Sequence, residues 1–136
     1  MAALPVNRFG TGKQLLLLAL TLGLWAFIIY IRLLAPPDVL LFIGAIELDT
    51  VAHLAGGVFL GLLAEWRMPR LRLWQFIPLV LLPAAAWEVL EYVFDAETRF
   101  FYATAFDLWR LDSAGDIVAA FLGGYGYWVF GRNRRR

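Results

Sequence analysis

The stretch DTVAHLAGGVFLGLLAEW, residues 49–66, decides what kind of protein this is. It is apolar almost throughout, yet it opens on Asp49 and His53 and carries Glu65 near its far end. A helix rises 1.5 Å per residue, so roughly 20 residues cross a hydrocarbon core about 30 Å thick. A run of this length and composition predicts a membrane-spanning helix. Its ionisable residues then carry the question of function, because charge within a bilayer is expensive and is seldom kept without a use.

Three further runs have the same character. Residues 15–35 are apolar except for Arg32, residues 73–94 contain Pro78 and Pro83, and residues 113–130 are rich in Gly and Ala. Arg8 and Lys13 precede the first run in the manner of a signal peptide. The run is too long for a signal h-region, however, and Pro36-Pro37 stand where small residues would be needed for cleavage, so a retained helix is expected. Prolines are tolerated in the third span where neighbouring helices satisfy the freed carbonyls. The reading is therefore an all-α, polytopic membrane protein: a four-transmembrane-helix bundle forming one domain over residues 1–136, with short interfacial segments. The first such segment, residues 36–48, is too short in its apolar part to cross. The second, residues 96–111, mixes aromatics with Glu97, Arg99, Asp107 and Arg110.

Composition agrees with this architecture. The 136 residues are 62% hydrophobic and 17% charged, with a mean hydropathy of +0.70. Soluble domains are about 45–50% apolar and about 25% charged. A formal net charge of +1 offers no electrostatic footprint for nucleic acid, and the absence of cysteine excludes disulfides, thiolate metal sites and cysteine nucleophiles.

Basic residues set the expected direction of insertion. Arg8, Lys13, Arg67, Arg70, Arg72, Arg132, Arg134, Arg135 and Arg136 fall on one side of the four spans, and only Arg32, Arg99 and Arg110 on the other. Positive residues stay in the cytoplasm, so both termini are expected there. Trp66 and Trp74 then fit an inner aromatic belt, and Tyr30, Tyr92 and Trp109 an outer one.

Acidic residues show the opposite bias. Only Glu65 of the eleven lies near the inner side. Asp38, Glu97 and Asp107 read as loop charges. Three pairs do not: Asp49 with His53, Glu88 with Glu91, and Asp112 with Asp116, at spacings of four, three and four. Such spacings place both members on one helix face. All three pairs fall at outer helix ends and can meet at one depth, with Asp95 extending the face of Glu88 and Glu91. Carboxylates so gathered need relief from bound cations, from Arg99 or Arg110, or from protons. An imidazole among carboxylates suits a divalent ion such as Mg, Mn, Ca or Zn. Blander roles exist for some members: Asp112 as the cap of the fourth helix, His53 as a hydrogen-bond donor to a neighbouring helix. Gly57 with Gly61, Ala119 with Gly123 and Ala120 with Gly124 are small residues four apart, the spacing that lets helix backbones approach closely.

The run Asp49-x-x-x-His53-x-x-x-Gly57 followed by Glu65, the pair Glu88-x-x-Glu91 and the later Asp112-x-x-x-Asp116 together resemble the YjdF-like proteins, an uncharacterised bacterial inner-membrane family. The resemblance covers about residues 49–124. A more distant similarity is to the VanZ-like proteins, associated with low-level glycopeptide resistance, although Glu91 stands where those have Gln and Ala120 where they have Asn. The resemblance implies a multi-pass protein of the bacterial inner membrane with a polar site, and names no reaction.

Three functions remain open on the sequence. One is a metal-assisted enzyme acting on a lipid or lipid-linked headgroup, with Asp49, His53, Glu88, Asp112 and Asp116 as ligands, Glu91 as general base and Arg110 holding an anionic headgroup. Another is an ion or proton transporter subunit, working as a homo-oligomer because four spans are few, with Glu65 as an inner station. The third is a non-catalytic accessory protein whose acids fix helix packing.

Overall fold

The computed structural model describes residues 12–34, 42–43, 46–68 and 70–131. Arg8, Arg132, Arg134, Arg135 and Arg136, and most of the interfacial segment expected over 36–48, lie outside the described residues. The fold is helical apart from a minimal antiparallel ladder. In chain order come α1 (Gly12–Leu34), β1 (Phe42–Ile43), β2 (Ile46–Glu47), α2 (Leu48–Arg67), α3 (Leu73–Phe94), α4 (Ala96–Tyr102) and α5 (Phe106–Gly126), which runs on as a π-helical turn, Tyr127–Gly131. The strands pair Phe42 with Glu47 and Ile43 with Ile46.

Among the described residues, three helices, α1, α2 and α3, are long and apolar enough to cross a membrane. The fifth helix has comparable length but carries Asp107, Arg110, Asp112 and Asp116 in its first half. It also starts earlier than the expected boundary at residue 113. The segment expected to lie in the interface as a unit, 96–111, is split by a turn at Ala103 and Thr104, and its second half is the first part of α5. Nothing between Phe106 and Ser113 breaks a helix, so the backbone, once nucleated, keeps its internal hydrogen bonds. As a result Asp112 lies well inside α5 and is not its cap.

Local chemistry fixes several ends. The Gln75 side chain accepts the Arg72 backbone N–H at 3.0 Å, one half of a capping box opening α3. Helix α3 runs unbroken through Pro78 and Pro83. At its other end Asp95 takes an extended conformation, and its carboxylate accepts a hydrogen bond from the Thr98 hydroxyl at 2.9 Å, turning the chain into α4. Asp95 thus ends the face of Glu88 and Glu91 instead of extending it.

Helices α2 and α5 form the axis of the bundle. A Cβ added at Gly57 would fall into the Ala120 peptide, 2.7 Å from its carbonyl carbon, and one at Gly123 would fall into that of Leu54, 2.8 Å away. Only glycine permits so close an approach, and in lipid, where apolar burial gains little, such contact is what holds helices together. Helix α3 packs on this axis through Phe76 and Val80, both essentially inaccessible, with Ala64 beneath them and the Trp128 ring tilted against Phe76 at 4.9 Å. Helix α1 is peripheral. It joins α2 where the Trp25 indole N–H donates to the Ala52 carbonyl at 3.1 Å and the ring lies beside Gly56 and Phe59.

Candidate functional site

The first turns of α2 bring Asp49 and His53 to the end of the bundle away from the Arg67–Arg72 loop. Helix α3 runs antiparallel to α2 and delivers Glu88 and Glu91 at its last turns, while α5 delivers Asp116. Three helices thus converge on His53. Its Nε2 lies 3.2 Å from Glu88 Oε1 and 3.7 Å from Asp49 Oδ2. Two groups of donors have ligand atoms all within 4.8 Å of one another: Asp49, His53 and Asp116, and His53, Glu88 and Glu91. His53 belongs to both.

Burial is graded across the cluster. His53, Glu88 and Asp116 are buried, Glu91 is half-buried and Asp49 is open to the outside. An ion could therefore enter past Asp49 and meet groups already stripped of water. Among the described residues, no arginine or lysine pairs with Glu88, Glu91 or Asp116. Glu88 Oε1 and Ser113 Oγ are both fully buried, Oε1 against His53 Nε2 and Ser113 beside the Glu88 carboxylate. Asp116 is steadied by the Thr50 hydroxyl.

The other expected site residues are placed differently. Asp112 is exposed and joins neither donor group; its Oδ2 accepts a 2.6 Å hydrogen bond from the Tyr102 hydroxyl, tying α4 to α5 at the mouth. Burial, then the bond to Asp112, push the Tyr102 phenol well above its ordinary pKa. Arg110 is exposed and lies 3.6 Å from exposed Asp107, a pairing that solvent makes weak. Arg99 donates to the Val93 carbonyl at 2.9 Å, closing the end of α3. Tyr92, Phe106 and Trp109 form an aromatic cluster with ring centroids 4.5–5.8 Å apart, Phe106 stacked on Trp109 and edge-on to Tyr92.

Sequence spacing did not single out Tyr102, Ser113 or Thr50. Thr50 and Ser113 are chain neighbours of Asp49 and Asp112, and that adjacency was the available signal. At the opposite end of the bundle, the Tyr127 hydroxyl donates to Glu65 and lies 3.4 Å from Gln14 Nε2. The ring is held between Gly61 and Gly131, where added Cβ atoms would collide with it. No family model, curated protein or solved structure significantly matches the chain.

Proposed function

We propose that this is a four-span protein of the bacterial inner membrane, both termini cytoplasmic, whose outward-facing pocket binds a divalent cation and acts with it on a lipid or lipid-linked headgroup. The observation that carries the reading is His53, buried against Glu88 at 3.2 Å and reached by acids from three helices with an opening at Asp49. Glu88, Glu91 and Asp116, gathered at low exposure around one imidazole, offer the oxygen ligands that a hard cation takes. The assignment to the bacterial inner membrane rests on the motif resemblance, and the orientation on the distribution of basic residues.

A divalent ion there would polarise a phosphoryl or carbonyl oxygen and acidify a water molecule. His53, Glu88, Asp49 and Asp116 hold it. Glu91, half-buried on the same side of α3, takes the proton from the attacking water. Arg110, whose pairing with Asp107 is solvent-exposed and weak, holds an anionic headgroup at the interface. Glu65 is engaged by Tyr127, and the backbone contacts of Gly57 and Gly123 fill the α2–α5 seam between it and His53. That packing favours a one-sided site over a path through the protomer.

The test is turnover in nanodiscs containing a panel of phospholipids and lipid-linked phosphates, with Mn²⁺ supplied. Release of headgroup by the wild type, lost in Glu91→Gln and after chelation, supports the reading. Metal binding without turnover of any lipid, together with Mn²⁺ flux into liposomes, would replace it with the transport reading.

A further inference from the structure

We infer that the loop joining α2 to α3 binds the phosphates of anionic phospholipids through Arg67, Arg70 and Arg72. This surface lies at the end of the bundle away from His53 and does not depend on the cation reading. Its first ground is charge. All three arginines are exposed, and among the described residues no carboxylate pairs with any of them. The sequence holds no acid between Glu65 and Glu88, and none after Asp116. Glu65, at this end of the bundle, is engaged by the Tyr127 hydroxyl. The same end receives Gly131, packed against the Tyr127 ring, after which the sequence continues into Arg132, Arg134, Arg135 and Arg136. Clusters of about 4–8 basic residues beside a membrane span attract anionic lipid headgroups.

The second ground is depth. Helices α2 and α3 are both apolar enough to cross a membrane, and the loop joins their ends. Exposed Trp66 and Trp74 flank it, and indole rings settle at the level of the headgroups. The third ground is the chemistry of the cation. The Arg67 guanidinium lies 5.4 Å from the centroid of the Trp66 ring, which steadies the charged group beside its face. Direction of insertion needs only positive charge, which lysine supplies as well as arginine. Yet Lys13 is the sole lysine of the chain, and the loop uses arginine three times. A guanidinium fork meets two phosphate oxygens at once, whereas an ammonium acts as a point charge. A headgroup that keeps its net negative charge, such as phosphoglycerol, retains the attraction; in a zwitterionic one the choline offsets it.

The experiment reconstitutes the full-length protein in phosphatidylcholine bilayers containing a trace of spin-labelled phosphatidylglycerol or spin-labelled phosphatidylcholine. Electron paramagnetic resonance then reads the fraction of label slowed at the protein surface. Both leaflets carry the label, so the direction of insertion does not affect the result. The phosphatidylglycerol label should associate more strongly, and Arg70→Gln should lower that preference by about fivefold, the weight of one basic residue at a charged surface. The triple variant Arg67→Gln, Arg70→Gln, Arg72→Gln should remove most of it. Arg70 stands outside both helices, so its replacement leaves the helix ends intact and decides the matter should the triple variant fail to fold. Equal association of the two labels with the wild type overturns the inference. So does a preference that survives the triple variant, or survives Arg70→Gln where the triple variant does not fold.

Discussion

His53 Nε2 lies 3.2 Å from Glu88 Oε1 across the α2–α3 boundary, with less than a tenth of either side chain exposed. The relationship joins two helices at a point where solvent barely reaches either side chain. Breaking such a pair by removing one member leaves the other uncompensated, which costs about 3–5 kcal/mol where charges are fully buried. Its persistence beside further acids is the reason to look for a cation.

The glycine seam gives a prediction that separates packing from chemistry. Gly57→Ala and Gly123→Ala each place a methyl inside a facing peptide and should cost about 1–3 kcal/mol in detergent unfolding, as overpacking does. Gly115→Ala, on the same α5 but with nothing within 4 Å of its Cβ position, should be neutral or gain about 0.5–1 kcal/mol from the better helix former. Equal tolerance at all three positions would contradict the close approach of α2 and α5.

Tyr127→Phe removes the hydroxyl that links Glu65, Gln14 and α5. Unfolding should become easier by about 1–3 kcal/mol, the cost of leaving a buried hydrogen-bond partner unsatisfied. His53 and Glu65 are twelve residues apart on one helix, about 18 Å. Cation binding at the outer end should therefore be unchanged. Loss of Mn²⁺ affinity in this variant would show the two ends to be coupled.

Tyr102 supplies a pH prediction. Its phenol is neutral in the folded protein beyond the pH at which free tyrosine ionises, about 10. A folded pKa raised above the unfolded one gives stability that is fully present below pH 10 and is lost as pH rises toward the folded value. Ultraviolet difference titration against Tyr102→Phe should show a late-ionising phenol, and Asp112→Asn should bring it to lower pH by removing the negative charge beside it. A Tyr102 that titrates at the ordinary pH, with or without Asp112, would refute the contact.

Orientation is testable independently of chemistry. Reporters inserted at Arg70 and at Thr104 should report opposite compartments, Arg70 cytoplasmic. A cytoplasmic Thr104 would defeat the outward-facing site along with the orientation.

Much of the bundle was legible in the sequence because apolar runs between charged flanks leave the backbone few choices. Helix α3 lies between Arg72 and Asp95, and its range, Leu73–Phe94, coincides with the apolar run. The start of α5 was not legible. Asp107 and Arg110 look interfacial in composition, but helix continuity through Phe106–Ser113 depends on where the preceding turn falls. At the site, spacing told which residues share a face of one helix, as for Asp49 with His53. It could not tell which faces meet. Asp112 and Asp116 have equal claim by spacing, yet one helical turn separates a residue at the mouth, bound to Tyr102, from one buried beside Thr50. The link from Tyr127 to Glu65 spans 62 residues of chain and has no local signal.

Thermal unfolding of the purified protein with Mn²⁺ and with chelator tests most directly whether the outer pocket holds a cation. A ligand bound only by the folded state stabilises it, by about 2.7 kcal/mol at a hundredfold excess over Kd. The wild-type midpoint should fall on chelation and return with Mn²⁺, while Asp116→Asn, which keeps the side chain's shape, should unfold at a midpoint that responds weakly to either. A wild type indifferent to chelator, with no divalent ion by elemental analysis, would contradict the cation site and leave the acids as proton carriers or packing groups.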